Sequence, residues 1–206
     1  MNGFSEREAQ RLLKLESLEV LETPDPELAL VPELATQFVG VPAAALVFVD
    51  DRFAWFKAAH GVERELRIPR EQSVAAIIVD TRAPLQIDDA LQDSRYRSYP
   101  LAVKGEVRAI AGAPVILSDS TVAGAVLIFD RRPRHFSTEE MERLALVSDV
   151  ARGLLEEPCT FRRVDGKRSK RFISPSTPRN PGSRSRFSIT IEPHRGSSMS
   201  TTHSSP

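Results

Sequence analysis

The chain has 206 residues, 41% of them hydrophobic, with 28 basic and 28 acidic side chains. This composition predicts one soluble domain of ordinary size, and no stretch approaches the roughly 18 uninterrupted apolar residues of a membrane span, so none is expected. The single cysteine, Cys159, excludes an internal disulfide framework and a multi-cysteine metal site. The polar start MNGFSEREAQ has no signal-peptide pattern, and we expect a cytoplasmic protein.

The zero net charge conceals two unlike segments. Residues 158–206 contain ten Lys and Arg against two acidic residues, a net of +8, which leaves −8 for the residues before them. This basic segment also has 11 serines, 6 prolines and few large apolar residues. Such a composition cannot bury enough surface to offset its ordering entropy. The sequence therefore predicts a folded domain over residues 5–157 and a basic, disordered tail over residues 158–206.

Two amphipathic helices are predicted before the first strand. Ser5 caps the first, with Glu8 at the capping-box position. Asp25 and Pro26 supply a cap and a preset first residue to the second helix, which ends at Gly40. The first helix carries an apolar stripe that includes Leu12 and Leu15.

Four apolar runs predict two β-hairpins. Residues 43–49 and 53–59 flank a polar turn, and residues 107–117 and 122–129 flank another turn made of Ser118-Asp119-Ser120. The last run is nearly all β-branched or aromatic, which is too apolar for a strand with one face in water.

Three further elements complete the pattern. A short helix over residues 73–81, with Ser73 as its cap, and a short strand over 85–87 come between the hairpins. A long helix runs from Ser137 to about residue 156. Glu140 stands three residues after Ser137, which is the capping-box spacing. The long helix carries a stripe formed by Leu144, Val147, Ala151 and Leu154. Helices at both ends of an antiparallel sheet predict an α+β fold.

Five segments, in this order, resemble the GAF domain family of small-molecule-sensing and dimerising modules. They are RLLKLESLEVLETPDPE (11–27), VFVDDRFAWFKAAHG (47–61), DSRYRSYPLAV (93–103), VRAIAGAPV (107–115) and VAGAVLIFDRRPRHFSTEE (122–140). The resemblance implies a central antiparallel sheet of five to six strands flanked by helices, with the N- and C-terminal helices packed together outside the sheet.

The resemblance also implies a ligand pocket. Relatives commonly carry aromatic residues where this chain has Ala109 and Ile110, so we expect an aliphatic lining that takes an apolar ligand or has collapsed. Packing in the core is the alternative interpretation for the strand residues, and simple loop packing for the tyrosines. The candidate pocket residues are Phe48, Trp55, Ile77, Ile78, Tyr96, Tyr99, Ile110, Ala111 and Gly112.

Catalytic and metal chemistry finds little support in the sequence. The short helix over 73–81 lacks the Cys and His that relatives often carry, so no thiol redox role, metal or bound cofactor is expected. Asp88, Asp89 and Asp93 lack the order of a calcium loop and are interpreted as loop caps. Neither a nucleophile elbow nor a phosphate-binding glycine loop occurs. No catalytic residue is assigned, and we expect a protein without enzymatic activity.

These observations predict a sensory or regulatory module in signal transduction, whose ligand shifts helix packing in a homodimer. The expected dimer contacts are the two stripes Leu12, Leu15 and Leu144, Val147, Ala151, Leu154, with Leu144 and Leu154 partly exposed in a monomer. The output is expected to lie in a partner protein. The alternatives are a ligand-free scaffold for dimerisation or protein interaction, and a fragment of a larger sensor kinase or cyclase. For the tail, we weigh a solvated segment without a partner against weak contact with nucleic acid or anionic lipid.

Deletion of residues 158–206 is expected to leave the domain folded, with a melting temperature within about 2 °C of the full chain, because the tail adds no core. Any binding to polyanions at low salt should disappear with the positive charge. Calorimetry and a low-salt binding assay measure both effects. The variant Cys159→Ser, which keeps the charge, is the control. A cooperative loss of folding on deletion would mean that the domain extends beyond residue 157.

Overall fold

The computed structural model describes residues 6–21, 25–62 and 67–156. Ser5, Cys159 and the predicted tail lie outside the described residues. Within them, the elements are the helices α1 (Glu6–Ser17), α2 (Val31–Val39), α3 (Val74–Thr81), α4 (Pro100–Val103) and α5 (Thr138–Glu156), and the strands β1 (Ala43–Val49), β2 (Phe53–His60), β3 (Arg67–Pro69), β4 (Leu85–Ile87), β5 (Ala109–Ile116) and β6 (Val122–Asp130). No helix in these ranges has the length and apolar character needed to cross a bilayer.

The six strands form one sheet in the order β3-β2-β1-β6-β5-β4, and every pairing is antiparallel. The two predicted hairpins are β1–β2 and β5–β6, and the long-range pairing of β1 with β6 joins them at the centre. Every residue of β1 is buried, as is every residue of β6 except Asp130. The predicted α+β fold with a five- to six-stranded antiparallel sheet is confirmed.

Helices and loops cover both faces of the sheet, which explains why the central strands are apolar on both sides. Alternation along β1 sends Val47 and Val49 into a core shared with α3, and Leu46 and Phe48 into a second core shared with α2 and α5. The first core also receives the loop before β5, and the second receives Leu15 of α1.

Side-chain caps define where the helical segments begin. Ser137 donates its backbone N–H to Glu140 Oε2 at 2.8 Å, and Glu140 returns its own N–H to Ser137 Oγ at 3.2 Å, so the predicted capping box is present. Asp25 Oδ1 accepts the N–H groups of Glu27 and Leu28 at 3.0 and 3.2 Å, as the sequence predicted. That cap opens a 3-10 turn, and α2 follows it.

The stripes predicted to form a dimer are largely buried inside the single chain. Leu144 is fully buried because α5 turns this stripe toward β5 and α2, so the expectation that Leu144 is partly exposed in a monomer is wrong. Leu12 and Leu154 are half-buried. The others, Leu15, Val147 and Ala151, belong to the same core. The exposed apolar side chains of α1, α2 and α5 are Leu13, Leu34, Phe38, Leu146 and Val150.

Two strand glycines allow close packing, and alanine substitution is expected to separate their roles. A Cβ at Gly124 would overlap the Val47 carbonyl oxygen of β1, whereas a Cβ at Gly112 would meet the flexible ends of Ile78 and Leu127. Gly124→Ala should therefore cost more than about 3 kcal/mol of unfolding free energy or prevent folding, and Gly112→Ala about 1–3 kcal/mol.

Denaturant unfolding measures these differences, with Gly153→Ala as the control. Gly153 lies in α5 with open space around its added Cβ, so alanine should stabilise the protein by about 0.5–1 kcal/mol. Equal stability of the Gly112 and Gly124 variants would contradict the assigned β1–β6 contact.

Candidate functional site

A cavity of about 310 Å³ lies where α3 begins and where the loop before α4 passes it. Three of the nine candidate pocket residues, Ile77, Tyr96 and Tyr99, line it together. Its other lining residues are Glu71, Gln72, Ser73, Arg95 and Ser98. The expected aliphatic lining is not found here, since Ile77 is the only aliphatic residue among the eight.

Three more candidates lie on the same side of the sheet without lining the cavity. Ile78 and Ile110 are fully buried in the core beneath it. Gly112 has no free space beside it, because an added Cβ would overlap Ile78 and lie 2.6 Å from Leu127. The chain's own side chains therefore fill the aliphatic region that the sequence marked as a pocket.

The remaining three candidates do not join the cavity. Phe48 and Ala111 belong to the opposite core, under α2 and α5. Trp55 pairs with Phe48 across β1 and β2 and so shares its face of the sheet. The Trp55 indole Nε1 donates to Asp50 Oδ2 at 2.5 Å, and Trp55 is half-buried beside Phe53. Core packing or local turn contacts account for these residues.

Tyr96 is the distinctive group of the cavity. Its side chain is only 6% exposed, and its hydroxyl is buried without a hydrogen-bond partner among the described residues. Burial raises the pKa of Tyr96, so the phenol keeps its proton and remains a hydrogen-bond donor. An unsatisfied buried hydroxyl is costly, and this one belongs to a residue that lines the cavity.

The start of α3 adds further donors to this wall. Ser73 occupies the N-cap position with an extended backbone, but its side chain makes no capping hydrogen bond, so the predicted cap is wrong in this respect. The first N–H groups of an α-helix have no partner within the helix, and its N-terminus carries partial positive charge. Ser73 is buried and lines the cavity.

Arg95 covers Tyr96 from outside. Its guanidinium lies 5.0 Å from the centre of the Tyr96 ring, and the Asp93 carboxylate accepts hydrogen bonds from it at 2.7 and 3.0 Å. These bonds raise the pKa of Arg95 and lower that of Asp93. Since the two side chains hold each other in place, the charged pair forms a fixed outer edge of the site.

Two of the three acidic residues of the preceding loop, Asp89 and Asp93, act as the predicted caps, whereas the Asp88 carboxylate contacts the Gln86 and His135 side chains instead. Asp89 accepts the Leu91 N–H at 3.1 Å, and its two oxygens bind Arg108, which lowers the pKa of Asp89. Asp93 accepts the Arg95 N–H at 2.9 Å. Within the described ranges, no three His, Cys, Asp or Glu side chains group as metal ligands would.

Sequence patterns missed five of the eight lining residues. Ser73 was noticed only as a helix cap, and Glu71, Gln72, Arg95 and Ser98 lie in polar segments without a periodic pattern. The donor-bearing residues Ser73, Arg95 and Tyr96 thus line the cavity together, with Glu71 as the one lining carboxylate. Its eight lining residues include neither histidine nor cysteine.

A family model described as GAF domain matches residues 24–153 of this chain. The sheet order, the helices on both faces and the cavity at α3 belong to that matched region. The chain belongs to the GAF domain family, and the resemblance seen in the sequence is confirmed.

Known proteins similar to this chain have different roles. A cyclic di-GMP phosphodiesterase of Pseudomonas aeruginosa is 29% identical over 134 residues, which are 64% of this chain but only 22% of that protein. The GAF domain of an Acinetobacter phosphoenolpyruvate-protein phosphotransferase has a TM-score of 0.54 at 12% identity, with 74% of this chain and 94% of that one covered.

A free methionine-R-sulfoxide reductase from Neisseria meningitidis, solved with its substrate, has a TM-score of 0.52 at 16% identity, with 74% of this chain and 92% of that one covered. The structural matches establish a shared fold.

Proposed function

We propose that this chain is a non-enzymatic sensory module that binds a small polar molecule at the start of α3. The buried Tyr96 hydroxyl carries this proposal, because it has no partner among the described residues and belongs to a side chain that lines a cavity. Tyr96, Ser73 and Arg95 line the cavity with side chains that carry hydrogen-bond donors, so the ligand should present oxygen acceptors such as those of a carboxylate.

Two features favour sensing over catalysis. The eight lining residues contain no histidine or cysteine and no nucleophile–base pair. The similar phosphodiesterase matches this chain over only 22% of its length, which suits a regulatory domain beside a separate catalytic one. We infer that the output of this module lies in a catalytic partner or in a further part of a longer protein.

Signalling would proceed through association of two copies. The apolar stripes left exposed in the single chain are Leu34 and Phe38 on α2, and Leu146 and Val150 on α5, each pair one helical turn apart. Leu154, half-buried, continues the α5 stripe by another turn. Because α2 packs against α5, the two stripes lie on neighbouring helices that a second copy would cover. This surface replaces the buried stripe that the sequence suggested.

Substitution of Tyr96 by Phe tests ligand binding. Thermal shift with amino acids, dicarboxylates and nucleotides should find a compound that raises the melting temperature of the wild type, since a ligand that binds only the folded state stabilises it. Tyr96→Phe should keep or raise the melting temperature without ligand, because the lost hydroxyl is buried and has no described partner, and should lose the response.

A drop in the stability of ligand-free Tyr96→Phe would show that the hydroxyl has a structural role. Absence of a response from every compound would favour the alternative, a ligand-free GAF scaffold that acts through dimerisation or protein contacts.

Charge substitutions test the dimer surface. Sedimentation of the wild type should show a dimer with a dissociation constant on the order of micromolar. Leu146→Glu with Val150→Glu should give a monomer of normal stability, because both side chains are already exposed. Leu144→Ala should instead lose about 3 kcal/mol of unfolding free energy, because it leaves a cavity in the core.

The matched control places the same two charges on exposed apolar residues elsewhere, Leu91→Glu with Val103→Glu. This control should remain dimeric. A wild type that stays monomeric at high concentration, or a control that dissociates as readily, would contradict the assigned surface.

A further inference from the structure

A second and larger cleft, of about 550 Å³, shares no lining residue with the Tyr96 cavity. Helix α1, the end of α3 and the turn between β5 and β6 enclose it. Its lining residues are Arg7, Glu8, Gln10, Arg11, Arg70, Val79, Asp80, Arg82, Asp119, Ser120, Thr121 and Val122. Four arginines thus face three carboxylates.

The carboxylates of the cleft already have cationic partners. Arg11 binds both oxygens of Glu8 at 2.8 Å, and Arg70 binds Glu8 at 2.9 Å, which together lower the pKa of Glu8. Arg70 also binds Asp80 at 2.5 Å. Asp119 lies 3.2 Å from Lys14 of α1, which adds a fifth cation beside the cleft. The negative charge of the cleft is therefore neutralised from within.

Two guanidinium groups remain without a carboxylate among the residues that the structure describes, those of Arg7 and Arg82. Both are exposed. Arg82 donates Nη2 to the Ser120 carbonyl oxygen at 2.7 Å, which orients the group and leaves its other donors available. An oriented guanidinium binds phosphoryl and carboxylate oxygens in pairs, and a positive cleft attracts them.

Arg82 and Ser120, which contact each other at the rim of the cleft, both have a strained backbone. Arg82 ends α3 with a φ of 58°, and Ser120 turns from β5 to β6 with a φ of 66°, although neither is glycine. Left-handed conformations of such residues persist where surrounding structure enforces them, and they concentrate at ligand clamps. This strain supports the interpretation of the cleft as a binding site, which is argued from its charges and its shape.

We propose that this cleft binds a small molecule that carries a phosphoryl group or a pair of carboxylates. Arg7 and Arg82 hold its oxygens from α1 and from the end of α3, and Arg70, anchored by Glu8, forms the floor. The bound group links α1 to the end of α3, two elements that otherwise meet through side-chain ion pairs. Its binding therefore stabilises the packing of α1 against the domain.

The turn at the rim connects the cleft to α5. Glu156, the last residue of α5, accepts the Ser118 N–H and hydroxyl at 2.6 Å. Lys14, Arg82 and Glu156 therefore bring α1, α3 and α5 to three successive residues of one turn, 118–120. An anion bound against this turn therefore changes the contacts that the last turns of α1 and α5 make with it.

Calorimetric titration with pyrophosphate and with citrate, at fixed ionic strength, tests the proposal and distinguishes phosphoryl from carboxylate ligands. The wild type should bind at least one of them. Arg7→Gln with Arg82→Gln should weaken binding by about a hundredfold or more, since each lost charged contact is worth about tenfold.

The control, Arg131→Gln with Arg132→Gln, removes the same positive charge from another exposed site and should bind the anion normally. Tyr96→Phe should also bind the anion normally. Binding by neither ligand, or equal weakening in the control, overturns the proposal. Loss of anion binding in Tyr96→Phe also overturns it, because the anion would then occupy the Tyr96 cavity.

A measurement on the wild type tests the same proposal without depending on whether the substituted proteins fold. Arginine modification by phenylglyoxal, followed by peptide mapping, should show that the bound anion protects Arg7 and Arg82 and leaves Arg131 and Arg132 reactive. Uniform protection of all four, or of none, overturns the proposal.

Discussion

The pairing of β1 with β6 is the constraint on which the rest of the structure depends. These strands lie at the centre of the sheet, far apart in sequence, and join two hairpins into one sheet. Gly124 permits this contact, because the Val47 carbonyl oxygen occupies the place of a side chain. Since both strands are buried on both faces, helices must cover each side, and the two separate cores follow from that need.

The two cores have different consequences for function. The core under α2 and the long helix α5 holds most of the residues first expected to form a dimer. The opposite core is closed by the short helix α3 and by loops, whose polar ends leave cavities at their edges. Cavities therefore lie where short elements end, while α2 and α5 carry the exposed apolar side chains Leu34, Phe38, Leu146 and Val150.

Arginine–carboxylate contacts also connect these regions. Glu8 and Arg70 tie α1 to the start of α3, and Arg108 with Asp89 fixes the loop before α4. Such pairs are geometrically specific but individually weak where they are exposed.

The sequence by itself determined the fold family, the two hairpins, the capping box at Ser137 and the loop-capping role of Asp89 and Asp93. These features depend on periodicity and on residues close together in the chain, which a linear pattern records. Only the tertiary structure decided which residues share a face and what fills each space. Phe48 and Ile110, both predicted to line one pocket, lie in opposite cores, and Leu144 is buried instead of exposed. The Tyr96 cavity and the arginine cleft combine polar residues from separate elements, and no sequence period marks such positions.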